Sequence, residues 1–85
     1  MQKYQKMPDA VEAVQWKIDD WLLEERVARW VGSSFTYEPG DWLPTLISRS
    51  GKVRVRPGEY IVKVTDGTFH VWPRVAFQET YVKVA

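Results

Sequence analysis

The stretch from Arg56 to Trp72 narrows the fold more than any other part of the chain. Pro57-Gly58 breaks the chain direction, Glu59 to Thr65 reads as a strand, and Asp66-Gly67 is the pair that a two-residue type I′ hairpin turn prefers. Thr68 to Trp72 supplies the returning strand, and Pro73, with no amide to donate, ends the pairing. Tyr60, Val62 and Val64 share one face of this hairpin and need a layer to cover them.

Further strands precede it. Val11 to Trp16 is rich in β-branched and aromatic residues, with imperfect alternation. Leu43 to Ile47 is a strand candidate, and Arg49-Ser50-Gly51-Lys52 reads as a turn. Lys52 to Arg56 then alternates, which predicts Val53 and Val55 inward and Arg54 and Arg56 outward. Pro39-Gly40-Asp41-Trp42-Leu43 and Pro57-Gly58-Glu59-Tyr60-Ile61 repeat one order of turn residues. Each glycine is expected at positive φ, and Asp41 and Glu59 are expected to bond local amides.

One principal helix is legible. Asp19-Asp20 opens it, Leu23, Val27, Trp30 and Val31 form an apolar stripe, Glu25 and Arg29 stand four apart, and Gly32 ends it. Ser33 to Pro44 has loop composition. Arg74 to Thr80 reads as one helical turn and Tyr81 to Val84 as a last strand. The expected fold is α+β in the order β-α-β-β-β-β: a mostly antiparallel sheet of about five strands with the helix on one face. Residues 1–85 read as a single domain, with 1–9 loosely ordered.

Composition restricts the chemistry. Without cysteine there is no disulfide or thiolate ligand, and His70 is the only histidine, so no multi-histidine metal site can form. No apolar run approaches the roughly 20 residues that cross a bilayer, and the polar start lacks a signal-peptide pattern. A net charge of +1 does not by itself imply nucleic acid. His70, beside Phe69 and Trp72, reads as a cross-strand residue, and no nucleophile–base pair or phosphate loop can be assembled. The chain is therefore expected to be no enzyme and to need no cofactor.

Two binding surfaces stand out. Five Trp, four Tyr and three Phe exceed what a core this size can enclose, so some rings must lie at the surface, where aromatics anchor protein interfaces. Trp42, Trp72, Tyr37 and Phe35, in or beside loops and strand ends, are the candidates for protein binding, with His70 beside Trp72; Trp16, Trp30 and Phe77 suit the core. Arg49, Lys52, Arg54 and Arg56 form a run without acids, which suits either a nucleic acid or nucleotide, or a charge-protected sheet edge. An open edge also leaves monomer and homodimer both in view.

The chain resembles a family of small bacteriophage and prophage proteins of unknown function. The residues that carry the likeness are Tyr4, Lys6 and Pro8, then Val11-Glu12-Ala13-Val14-Gln15-Trp16, Pro57-Gly58-Glu59-Tyr60-Ile61-Val62, Asp66-Gly67, and Phe77 with Tyr81. Glu59 stands where that family usually has Asp, and His70-Val71-Trp72-Pro73-Arg74 replaces a Tyr-Pro-Cys-Lys-Pro-like run. The resemblance implies a phage product in the cytoplasm of an infected bacterium. With the aromatic and arginine surface, it leads to an expected accessory protein that binds and modulates a bacterial host factor.

Overall fold

The main helix forms where the local signals are strongest. The Asp20 carboxylate accepts the Leu23 amide at 3.1 Å, serving one of the donors that a helix start leaves over. Glu25 and Arg29 pair at 2.6 Å on the outer side. Gly32 closes the helix at φ 85°, a conformation that a Cβ would penalise, and its amide returns to the Ala28 carbonyl.

The computed structural model describes residues 2–6, 9–48, 51–64 and 66–83, with the backbone alone at 2–6, 9–10 and 82–83. In chain order its elements are β1 (Gln2–Lys6), β2 (Asp9–Gln15), α1 (Trp21–Val31), β3 (Phe35–Tyr37), β4 (Pro44–Ser48), β5 (Gly51–Arg54), β6 (Tyr60–Lys63), β7 (Phe69–Trp72), α2 (Arg74–Thr80) and β8 (Val82–Lys83).

The architecture is α+β, as expected, but the strands form two antiparallel sheets rather than one of about five strands. One is five-stranded in the order β7-β6-β2-β1-β8; the other is three-stranded in the order β3-β4-β5. Two further strands account for much of the difference. Gln2–Lys6 pairs with β2 within the segment read as loosely ordered, and Phe35–Tyr37 pairs with β4 within the segment read as loop. Arg74–Thr80 is a seven-residue helix and not one isolated turn.

The second sheet has a physical reason. Strands β2 and β6 are apolar on both faces, so the sheet that contains them must be covered twice. On one face Val11, Ala13, Tyr60 and Val62 pack with Phe77 of α2. On the other, Trp16 and Ile61 pack with Val27 of α1 and with Phe35, Leu46 and Val55 from β3, β4 and the residue after β5. The molecule is thus layered: α2, the five-stranded sheet, then α1 beside the three-stranded sheet. The imperfect alternation of Val11–Trp16 is the trace of this double burial.

Two local expectations fail. The hairpin turn is longer than Asp66-Gly67: the Val64 amide bonds the Thr68 carbonyl at 2.9 Å, and the Gly67 amide bonds the Val64 carbonyl at 2.9 Å. Gly67 sits at φ 87°, the left-handed conformation that glycine favours. The Asp66 carboxylate accepts the Thr68 amide at 2.9 Å, a local turn that short acidic side chains favour. Val53, read as inward, is exposed because β5 ends the sheet, while Val55 is fully buried.

Candidate functional site

The path from α1 to β4 collects exposed rings at one end of the molecule. The Phe35 amide bonds the Gly32 carbonyl at 3.1 Å, so β3 leaves the C-terminus of α1 and runs back along the helix. Tyr37 thereby comes near Glu24, close to the helix start, where the carboxylate acts on its hydroxyl. Trp21 lies one turn before Glu24 on the same flank. Tyr37 and Pro44 are opposite in register, so the loop carrying Trp42 extends from that same end.

These rings are not spent on the core. Trp21 is 70% exposed, Trp42 67% and Tyr37 38%, with Ile18 and Leu22 also exposed beside Trp21. The Tyr37 hydroxyl, turned toward α1, has its pKa pushed up to about 12, first by burial and then by the charge and hydrogen bond of Glu24. It remains a neutral donor at physiological pH.

The loop beside them is held by charge. The Asp41 carboxylate accepts the Leu43 amide at 3.0 Å with one oxygen and pairs with Arg54 at 2.7 Å with the other. Glu38 pairs with Lys52 at 3.0 Å. Both acids reach from the β3–β4 loop across β4 to its neighbour β5, and buried Thr45 lies beneath. Glu38, Asp41, Trp42, Thr45, Lys52 and Arg54 line an open cleft of about 700 Å³.

The predicted residues therefore divide. Trp42, Lys52 and Arg54 are brought together at the cleft, while Tyr37 lies on the other face of the sheet, toward α1. Phe35 is withdrawn: it is buried, with its ring edge-on to Trp16 at 5.5 Å, because the segment read as loop is a core-facing strand. Trp72 is half-buried, meeting Tyr81 edge-on at 5.4 Å and Phe77 at 6.2 Å, so its ring serves the α2 side of the core. Arg56 is exposed just beyond β5, where its amide donates to the Glu59 carboxylate at 2.7 Å. Arg49 lies outside the described residues.

His70 lies on β7, an edge strand of the five-stranded sheet, near the Ile47–Ser48 end of β4. It lines a cleft of about 800 Å³ with Val31, Ile47, Asp66, Thr68 and Phe69. The Thr68 hydroxyl lies 2.6 Å from an Asp66 carboxylate oxygen and 3.1 Å from His70 Nε2. A hydroxyl carries one proton, and a carboxylate at that distance claims it. A hydroxyl that donates to the carboxylate can only accept from His70, which takes the tautomer protonated at Nε2. A Thr nucleophile needs the reverse arrangement. No group of His, Asp or Glu able to hold a metal occurs among the described residues.

Trp21, Leu22 and Ile18 were missed from the sequence as surface candidates. The signal was present for the two helical residues. At about 100° per residue, Trp21 and Leu22 fall roughly opposite the stripe of Leu23, Val27, Trp30 and Val31. Among the described residues, no helix is long and apolar enough to cross a membrane. Comparison of the chain with family models, curated proteins and solved structures finds no match.

Proposed function

We propose that this chain is a small non-catalytic protein that acts by binding another protein through the end carrying Trp21, Tyr37 and Trp42. One observation carries the reading: large rings are exposed around one end of the fold, and neither of its two buried clusters includes them. Exposed Trp and Tyr are the residues that most often supply binding energy at interfaces. The resemblance to phage and prophage proteins supports a bacterial host factor as the partner and the infected cell's cytoplasm as the setting.

The nucleic-acid reading has less support. Of the basic run, Lys52 and Arg54 are the two residues that line the cleft, and two cations supply few of the phosphate contacts that hold a nucleic acid.

The test is affinity recovery from bacterial lysate with nuclease added, using the native chain and its Trp21→Ala, Trp42→Ala and His70→Ala variants. A specific partner lost with either tryptophan and retained with His70→Ala is the expected result. A partner whose recovery ignores both tryptophans, or disappears with nuclease, would sink the reading.

A further inference from the structure

Among the described residues, strand β5 has a neighbour on one side only, β4. All its described residues are exposed. The Val55 amide bonds the Pro44 carbonyl at 2.8 Å, which identifies Pro44 and Val55 as a hydrogen-bonded pair. Such pairs alternate along an antiparallel ladder. Leu46 with Val53 is therefore bonded, while Thr45 with Arg54 and Ile47 with Lys52 are not. The amides and carbonyls of Lys52 and Arg54 consequently point away from β4, toward the open edge.

An incoming strand must pair with those two residues, and their side chains decide which strand is accepted. Another copy of β5, laid antiparallel, can place its two-fold axis at Lys52, at Val53 or at Arg54. The first sets Lys52 against Lys52, the second Lys52 against Arg54, and the third Arg54 against Arg54 and Lys52 against Arg56. Each sets cation opposite cation on one face, which destabilises a sheet pair. Glu38 and Asp41 temper this repulsion, yet they reach the cations from across β4, leaving Lys52 63% and Arg54 55% exposed. The edge discriminates against itself.

We infer that β5 is a docking edge for an extended segment of another protein with acidic residues at alternate positions. The segment adds a fourth strand to the β3-β4-β5 sheet. Its backbone meets the outward groups of Lys52 and Arg54, its carboxylates lie opposite their side chains, and the cleft beside Trp42 receives the flanking chain. This deepens the protein-binding reading and rests on it, and it makes the free chain a monomer at this edge.

The experiment is a two-dimensional NMR titration of the full chain with two synthetic peptides at low salt. One alternates Glu with Val, the other alternates Lys with Val. The acidic peptide is expected to shift the Lys52 and Arg54 amides, and the Lys52→Glu/Arg54→Glu variant should prefer the basic peptide. Each preference should be about tenfold, the size expected of a few exposed ion pairs. Lys52→Pro removes an outward amide that β4 does not use, so it should keep the fold and lose the acidic peptide. Equal shifts from both peptides, no shift at these amides, or undiminished binding in Lys52→Pro overturns the inference. So does a concentration-dependent dimer in sedimentation that Lys52→Pro abolishes. If the peptide results hold while tryptophan variants leave lysate recovery unchanged, the aromatic reading fails and the edge stands.

Discussion

Two groups of aromatic side chains occupy this small molecule under opposite conditions. Beneath α2, Tyr60 stacks on Phe77 at 4.1 Å, Phe77 on Tyr81 at 4.8 Å, and Trp72 meets both Phe77 and Tyr81 edge-on. The Tyr60 hydroxyl also accepts from Gln78 at 3.2 Å. At the other group, Trp21 and Trp42 lie mostly in water and Tyr37 is only partly covered. Residues of one chemical type thus serve stability in one place and are left available in the other. The difference is set by the neighbours that the topology supplies, since α2 folds back onto the sheet while nothing described covers the α1–β3 end.

The largest expected contrast is between Phe77→Ala and Trp42→Ala. Phe77 is fully buried between two rings, so its truncation should cost about 3–5 kcal/mol, enough to leave little folded protein at this size. Urea denaturation followed by circular dichroism measures it; a cost below about 1 kcal/mol would show that the α2 layer is not a true core. Next comes Asp20→Ala, which removes the cap that starts α1 beside Trp21. A loss of about 1 kcal/mol is expected by the same measurement, with increased hydrogen exchange at the Leu23 amide.

Tyr37 stands between the two groups and gives a pH test. Its pKa is raised above the unfolded value of 10.0 to about 12, so folding favours the protonated form. The associated stability is fully present below pH 10 and is lost as pH rises toward 12. Tyr37→Phe should remove that portion of the alkaline destabilisation. Glu24→Gln should lower the phenol's ultraviolet titration midpoint part of the way, because burial is the larger cause. An unchanged midpoint would separate Tyr37 from α1. The smallest effect belongs to Trp42→Ala, expected within about 0.5 kcal/mol of the native chain in urea although its partner is lost. A loss of 2 kcal/mol or more, the order expected of a core ring, would make Trp42 part of the structure and break the contrast.

Much of this was legible residue by residue. Asp20 and Gly32 bound the helix as their chemistry requires, and Asp41 and Glu59 bond the amides near them. The strand content of β2, β4 and β6 was also legible, within a residue or two. Partnership across the chain was not. Phe35 looked like a loop aromatic because only its pairing with Leu46 marks it as a strand residue. Lys52 and Arg54 looked like an unopposed basic run because Glu38 and Asp41 stand in a separate loop.

By itself, the sequence determined the elements that depend on near neighbours: caps, turns and the period of each apolar pattern act over a few residues, where φ, ψ and short hydrogen bonds decide. Among the described residues, the tertiary structure decided how eight strands divide into two sheets, which rings became core and which remained exposed, and that β5 lies at an open edge. Those outcomes depend on which apolar faces meet. The burial that selects them joins residues far apart in the chain, such as Trp16 with Phe35 and Tyr60 with Phe77.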